Sequence, residues 1–190
     1  MWTQIRISVL MLAALTVVTG VLYPLVVTGI AQLTMPGQAN GSLITQDGQL
    51  AGSALIGKQY DDPKYFWSRL SATGPTPYNS AASSGSNYGP LHPDLKKAAD
   101  ARIAALRAAD PSNPAPVPID LITASGSGLD PHISPEAALY QASRVARARG
   151  IGEAAVSQLI ASATEPRQLG FLGEPRVNVV LLNRSLDRKR

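Results

Sequence analysis

The residues best suited to chemistry lie in one polar turn. Ser127, Asp130 and His132 are the residue types of hydrolytic triads and metal sites. A Gly-x-Ser-x-Gly elbow is absent, however, because the sequence here is only Gly126-Ser127-Gly128. His92 is the only other histidine and there is no cysteine, which is too few ligands for a typical zinc set. We therefore interpret these residues mainly as turn and cap residues, with a Ser-dependent hydrolase kept as an alternative function.

A second segment approaches the pattern of a phosphate-binding loop but lacks one ligand. Residues 52–59 read GSALIGKQ, whereas a P-loop needs Ser or Thr after the lysine to hold magnesium and a helix directly afterwards. Gln59 occupies the magnesium position, and Pro63 disfavours a helix. We predict a strand and a turn here and no nucleotide site.

The polar turn is predicted to connect a strand with a helix. Pro118 to Ala124 is rich in β-branched and apolar residues, which favours a strand, and residues 125–128 read SGSG, a turn. Ser134 and Pro135 are typical of a helix start, and Gly150 is typical of its end.

Four polar side chains lie along this helix: Gln141, Arg144, Arg147 and Arg149. They fit a solvated face, as charge runs on helices often do, or a surface that docks a partner. Periodicity does not decide between these two interpretations.

The elements that position these residues are preceded by an apolar N-terminus. No Asp, Glu, Lys, Arg or His occurs from Ile7 to Gln46, and the apolar part reaches about Leu33. This run exceeds the roughly 20 residues of a membrane-spanning helix, whereas the apolar core of a signal peptide has about 7 to 15. We predict an uncleaved membrane anchor, interrupted at Tyr23-Pro24 and Gly29; a cleaved signal peptide is the alternative.

Charge predicts the orientation of this anchor. Arg6 precedes the span, and the first basic residue after it is the distant Lys58, so the N-terminus is expected in the cytoplasm. The predicted organisation is a cytoplasmic segment 1–6, a transmembrane helix 7–34 and an extracytoplasmic soluble α+β domain 35–190 in the cell inner (plasma) membrane.

Further elements follow from local patterns. An aromatic cluster, Tyr65-Phe66-Trp67, fits core packing. The long loop 71–93 is expected to be fastened by Tyr78, Asn79, Ser86 and Asn87. The remaining predictions are a hairpin over 42–56 with its turn at Asp47-Gly48, a helix from Pro93 to Ala109, an amphipathic helix through Val156, Leu159, Ile160 and Ala163, and a strand from Arg176 to Leu182. Strands interleaved with helices predict an α+β fold.

Composition narrows the class of protein. With 190 residues, 45 % hydrophobic and 16 % charged, the chain fits one domain plus an apolar segment. The isoelectric point of about 9.6 reflects scattered basic residues, and aromatic residues make up only 5 %. We therefore predict no nucleic-acid partner. Without cysteine, disulfides and thiolate metal sites are excluded.

One family shows the chain's motifs in the same order over nearly the whole length. They are Tyr23-Pro24-Leu25, residues 38–44, 52–57 and 69–73, Tyr78-Asn79, Ser86-Asn87, residues 123–134, Gln141, Arg144-Val145-Ala146 and residues 176–179. In these motifs the chain resembles the C subunit of the bacterial Kdp-type potassium-transporting ATPase. Lys58 and Leu70 depart from that family's usual Gln and Pro.

The resemblance implies an accessory, non-catalytic subunit in a membrane complex. Its partners would be a channel-like subunit that selects potassium and a P-type ATPase subunit that hydrolyses ATP, with membrane lipid around the anchor. In agreement, the sequence has neither an Asp-Lys-Thr-Gly phosphorylation motif nor a Thr-Val-Gly-Tyr-Gly filter. A stand-alone membrane-anchored envelope binding protein is the alternative without partners.

The resemblance also implies a catalytic chaperone that raises the pump's affinity for ATP. A helix glutamine, matching Gln141, would contact the nucleotide together with Arg144, and ATP is the one cofactor it suggests. The predicted topology places Gln141 across the membrane from cytoplasmic ATP, so either the orientation differs or the effect is allosteric. The residues expected at partner interfaces are Tyr23, Pro24, Asn40, Ser86, Asn87, Ser127 and Asp130.

Overall fold

The chain forms two compact units. The computed structural model describes residues 1–46 and 48–188. The first unit is Met1–Gly52 and the second is Ser53–Arg190. The first begins with a long apolar helix, and the second mixes helices with short strands. The predicted fold class, an α+β domain after a single N-terminal apolar helix, is confirmed.

The long helix of the first unit consists of α1 (Trp2–Val17), a π-helical turn (Val18–Leu22) and α2 (Tyr23–Thr34). An 18-residue window of this 33-residue helix has a mean hydropathy of 2.3, and none of its residues is buried in the protein. At 1.5 Å per residue it is about 50 Å long, more than the roughly 30 Å of a bilayer's hydrocarbon core. By length and composition it can cross a membrane.

The π-helical turn has a local cause in Pro24. Proline has no N–H to donate, and its ring clashes with the carbonyl four residues earlier, at Gly20, so the helix widens over this turn. The predicted interruption at Tyr23-Pro24 is confirmed. The one predicted at Gly29 is wrong, because α2 continues through that residue without a break.

After a short helix, α3 (Pro36–Ala39), two strands form a two-stranded sheet: β1 (Leu43–Gln46) and β2 (Gln49–Ser53). The two predicted hairpin strands are confirmed, although the second ends at Ser53 and does not reach Ile56. Asp47, half of the predicted turn, lies outside the described residues.

The second unit holds most of the regular structure. Its elements are a 3₁₀ turn (Ser80–Ala82), α4 (Pro93–Ala109), α5 (Ile119–Ile122), β3 (His132–Ile133), α6 (Pro135–Arg149), α7 (Glu153–Ala163), β4 (Thr164–Glu165), β5 (Arg176–Asn178) and α8 (Val179–Asp187). β5 is the middle strand of an antiparallel sheet ordered β3-β5-β4. Val177 pairs with Ile133 on one side and with Thr164 on the other.

The core of this unit is built around α6. The buried face of the helix carries small side chains, which allow α7 and β5 to approach closely. Larger residues fill the surrounding space, among them Phe66, Leu106 and Ile160. The buried α6 residues of the apolar cluster are Ala137, Ala138, Ala142, Val145 and Ala146.

Both predicted ends of α6 are confirmed. The Ser134 side chain accepts the N–H of Ala137 at 3.0 Å, and Pro135 is the first helical residue. Gly150 ends the helix in the left-handed conformation, at φ 66°, where a residue without a Cβ is favoured. These local signals therefore fix the helix at both ends.

The strand predicted over Pro118–Ala124 is wrong. A one-turn helix, α5, forms there, and only Ala124 makes an isolated parallel bridge, with Leu70. The Asp120 carboxylate accepts the backbone N–H of Ser134 at 2.7 Å. This side-chain bond ties the segment to the start of α6, in a region where a strand would have needed a neighbouring strand for its backbone groups.

The strand predicted over Arg176–Leu182 is correct only as far as Asn178. The Asn178 side chain accepts the N–H of Leu181 at 3.1 Å and caps α8, so the apolar run from Val179 continues as a helix. A short apolar run fits a buried strand and a buried helix equally well, and here the cap decides.

The two other predicted helices are confirmed. α4 has the predicted bounds, and its apolar stripe ends in the fully buried Leu106. α7 buries Val156, Leu159 and Ile160. Phe66 and Trp67 are buried in the core, which confirms the interpretation of the aromatic cluster. Residues 52–59 form a strand end and a turn without a following helix, as predicted.

Candidate functional site

Gln141 is a buried amide that acts as a backbone partner. Its side chain is on the inner face of α6, and the residue is 1 % exposed. Its Oε1 accepts the N–H of Trp67 at 2.8 Å, and its Nε2 donates to the Trp67 carbonyl at 3.2 Å and to the Ala137 carbonyl at 3.1 Å. The glutamine thus satisfies both backbone groups of Trp67, as a neighbouring strand would.

Arg144 completes this cluster. It is 3 % exposed, and it donates to Gln141 Oε1 at 2.7 Å and to the Pro63 carbonyl. Its guanidinium also lies 4.7 Å from the centre of the Trp67 ring, a cation–π contact. Burial disfavours the charged form and lowers the pKa of Arg144 to about 10, so the side chain remains cationic at neutral pH.

The other two arginines of α6 also hold neighbouring segments. Arg147 pairs with the buried carboxylate of Asp110 at the end of α4. Arg149 pairs with Asp187 of α8 at 2.8 Å and donates to the Lys64 carbonyl at 2.7 Å. The interpretation as a solvated face is therefore wrong for the buried Gln141 and Arg144 and for Arg149, whose side chain is 10 % exposed. It holds for Arg147, which is exposed, with 52 % of its side chain accessible.

These contacts bear on the predicted nucleotide site. Every polar atom of the Gln141 side chain already has a partner in the protein, and Arg144 shares one of them. Direct contact of ATP with Gln141 and Arg144 stays a prediction, and it would require that the hydrogen bonds to Trp67 and Pro63 open first.

Asn183 is a second buried amide that binds the backbone of a neighbouring residue, and it was not singled out from the sequence. From α8 its Oδ1 accepts the N–H of Phe66 at 2.8 Å, and its Nδ2 donates to the Phe66 carbonyl at 3.0 Å. Consecutive residues, Phe66 and Trp67, are thus each held by one buried amide side chain. The signal was available: Asn183 lies at helical spacing from Val179 and Leu186, on the apolar face of the helix.

Asp130 organises the polar turn before α6. One carboxylate oxygen accepts the N–H of His132 at 3.0 Å and lies 3.1 Å from its ring Nδ1, and the other accepts from Arg69 at 3.2 Å. Burial alone would raise the pKa of this carboxyl, but the bonds from His132 and the charge of Arg69 together lower it. Asp130 is therefore ionised at neutral pH.

The geometry of this turn confirms its interpretation as turn and cap chemistry. Ser127 Oγ accepts the N–H of Leu129 at 3.1 Å, a bond local to the turn. Within residues 1–46 and 48–188, no hydrogen bond joins Ser127 to His132, and no cluster of three or more His, Asp or Glu side chains is placed to hold a metal ion.

The turn also anchors the long loop 71–93. Ser71 Oγ donates to the Gly128 carbonyl at 2.7 Å, and the backbone N–H of Ser84 donates to the Ser127 carbonyl at 3.0 Å. Tyr78 donates to the Arg69 carbonyl at 2.7 Å. Together these bonds fix a loop whose composition alone would suit a linker.

The four residues predicted to fasten this loop divide into two pairs. Tyr78 and Asn79 do so, since Asn79 donates to the Gly74 carbonyl at 2.8 Å and caps the 3₁₀ turn. In the part of the chain that the structure describes, the side chains of Ser86 and Asn87 make no hydrogen bond, and Asn87 is exposed at φ 51°. Ser86 and Asn87 stay predicted interface residues.

The predicted interface residues of the first unit lie at its surface. Tyr23 and Pro24 are exposed next to the π-helical turn. Asn40 exchanges two amide hydrogen bonds with Gln32, each 3.1 Å long, and donates to the Pro36 carbonyl at 2.7 Å. Asn40 thus closes the turn after the long helix, and its role at an interface stays a prediction.

Comparison with known proteins agrees with the resemblance seen in the motifs. A family described as K⁺-transporting ATPase, c chain (KdpC), matches residues 5–188. Proteins named potassium-transporting ATPase KdpC subunit are similar over nearly their full length. The one from Herpetosiphon aurantiacus is 62 % identical, covering 99 % of this chain and 97 % of its own.

Two further relatives also match over nearly the whole of both chains. The KdpC subunit of Methylococcus capsulatus is 60 % identical over 96 % of both chains, and that of Sorangium cellulosum is 57 % identical over 100 % of both. The expected family is confirmed: the chain belongs to the KdpC family, the c chains of K⁺-transporting ATPases.

Proposed function

We propose that this chain is a non-catalytic accessory subunit that stabilises an ATP-driven potassium uptake complex. Its partners are a potassium-selective channel-like subunit and a P-type ATPase subunit. The long apolar helix anchors it in the cell membrane with the N-terminus in the cytoplasm, and the second unit lies outside. Family membership supports the accessory role, because the relatives are named as subunits of a potassium-transporting ATPase.

We also propose that the chain raises the ATP affinity of the pump subunit allosterically. The observation that carries this is the internal use of Gln141 and Arg144, whose polar atoms bind the backbone at Trp67 and Pro63. A chain that binds one conformation of the pump more tightly shifts the pump towards it, and this changes ATP affinity without touching ATP.

Linkage makes the accessory role testable. If the chain raises ATP affinity by some factor, ATP must tighten binding of the chain to its partners by the same factor, typically about 5- to 150-fold. We expect the tagged full chain to co-purify with two larger membrane subunits in mild detergent and to dissociate more slowly when a non-hydrolysable ATP analogue is present.

The same preparation separates the alternatives. A chain that purifies alone would contradict the accessory role and favour a stand-alone binding protein. A photoreactive ATP analogue that labels this chain within α6 would contradict the allosteric route and favour direct contact through Gln141 and Arg144. Labelling of the pump subunit alone is the expected result.

The orientation has its own test. The chain has no cysteine, so Leu91→Cys, at a residue 96 % exposed, introduces a single reactive thiol. We expect a membrane-impermeant maleimide to label it from outside the cytoplasmic membrane. A Trp2→Cys variant, at the other end of the predicted topology, is the matched control and should react only after permeabilisation. The reverse pattern would contradict an external domain.

A further inference from the structure

A short loop between β4 and β5 exposes three large apolar side chains. Leu169, Phe171 and Leu172 are 83 %, 68 % and 47 % exposed, within four consecutive residues. Among the described residues of the second unit, no other four-residue stretch exposes three large apolar side chains. Such exposure disfavours the isolated domain in water, so it indicates a surface that is covered when the protein functions.

The loop has a fixed conformation. Gln168 and Leu172 form an antiparallel bridge, and each donates its backbone N–H to the other's carbonyl at 2.9 Å. The Phe171 N–H donates to the Gln168 carbonyl at 3.2 Å. Leu169 is held at φ 52°, a left-handed conformation that non-glycine residues rarely adopt and that tends to occur at functional sites.

Two ion pairs lie at the base of the loop, and we call their four residues the collar. Arg167 pairs with Glu174 at 2.5 Å, and Arg176 pairs with Glu165 at 2.9 Å. Glu165 and Arg176 also lie opposite each other on β4 and β5, so this collar is attached to the middle strand of the core sheet. The exposed apolar side chains are therefore connected to the core sheet through an ordered loop base.

The charge of the collar favours one kind of partner. Two arginines are balanced by two carboxylates, which leaves no excess of positive charge to attract an anionic lipid surface. A rigid apolar tip inside a polar, neutral rim instead has the composition of a protein–protein hot spot, in which aromatic and aliphatic anchors enter a pocket and polar groups surround it.

We propose that the surface formed by Leu169, Phe171 and Leu172, the apolar tip, docks into an apolar pocket on another subunit of the same complex. This rests on the proposed accessory role. The fixed backbone reduces the ordering cost of binding, because the tip already has its bound shape. The paired charges stay at the solvent-accessible rim of the contact.

The test compares two substitutions in the full chain co-expressed with its partner subunits. Phe171→Ser should speed dissociation from the complex at least about tenfold, as loss of a hot-spot aromatic does. Leu91→Ser, at an isolated exposed leucine, should leave the dissociation rate unchanged. The unfolding midpoint of both variants alone should match that of the wild type, since each side chain is exposed.

The outcomes distinguish this proposal from the accessory role. If the wild type co-purifies and Phe171→Ser is retained as well as Leu91→Ser, the docking of the tip is wrong and the accessory role stands. If the wild type does not co-purify, both are wrong.

A second variant identifies what covers the tip, independent of any loss of folding in the first. Phe171→Trp keeps a large apolar ring and adds a fluorophore. Its emission is obtained by subtracting the spectrum of the wild type, which contains only Trp2 and Trp67. We expect its emission to shift to the blue when the complex assembles. Quenching by brominated lipids in reconstituted bilayers would show insertion into the membrane and overturn a protein partner.

Discussion

Gln141→Met is expected to lower the free energy of unfolding by about 3 to 5 kcal/mol. Methionine has nearly the same length but no hydrogen-bonding amide, so the N–H and carbonyl of the buried Trp67 lose their partners. Each buried group left unsatisfied costs about 1 to 3 kcal/mol. Arg144 loses an acceptor in the same place, which adds to the loss. Urea unfolding of the full chain in detergent measures the difference.

The control is the same substitution at an exposed glutamine. Gln158 lies on the outer face of α7, and Gln158→Met should change the free energy of unfolding by no more than about 0.5 kcal/mol. If Gln141→Met kept full stability and weakened only the response to ATP, Gln141 would be a ligand contact. The domain would then have two conformations, and Gln141 would be buried in only one of them.

Gly128→Ala is expected to cost about 3 kcal/mol through two separate effects. Gly128 has φ +68°, where a Cβ costs roughly 1 to 2 kcal/mol. That Cβ would also lie 2.5 Å from Thr73 Cγ2 and 2.7 Å from the Ser84 carbonyl oxygen, and overpacking of this kind typically costs about 1 to 3 kcal/mol. Because Ser84 belongs to the loop 71–93, the substitution should also increase protease cleavage within that loop.

A glycine two residues earlier provides the comparison. A Cβ on Gly126 would meet no atom within 4 Å, and its φ is not in the left-handed region, so Gly126→Ala should change stability by less than about 1 kcal/mol in either direction. Equal urea midpoints for the two variants would show that the turn shifts freely. The position of the loop 71–93 would then not depend on the shape of the turn.

Local sequence signals predicted the elements that carry their own start and stop residues. Ser134, Pro135 and Gly150 fixed α6 because capping depends on neighbours within four residues. The apolar runs near Pro118 and Val179 were wrongly predicted as strands, since their conformation depends on distant or side-chain partners. Asp120 binds Ser134 across 14 positions, and Asn178 caps the helix that follows it.

The candidate cluster was harder to predict for the same reason. Gln141 is a candidate site residue in the sequence, but its hydrogen-bond partner is Trp67, 74 positions away. The spacing of polar residues on α6 does not indicate that these two residues are in contact. In the structure Gln141 lies one helical turn from Ala137 and from Val145, and all three are buried. A run of arginines on a helix favours a surface because arginines are usually exposed, whereas Arg144 is buried with carbonyl and aromatic partners.

The paired amides at Phe66 and Trp67 also set the order in which the chain can fold. Phe66 obtains its backbone partners from Asn183, which is synthesised 117 residues later. At roughly 5 to 20 residues per second, the ribosome needs about 6 to 23 s to make that stretch. Throughout this interval the backbone N–H and carbonyl of Phe66 lack these two hydrogen bonds, and the buried side chains of α8 are missing from the core. The nascent domain is therefore exposed to aggregation until its last helix is made, and a chain that stops before Asn183 never leaves that state.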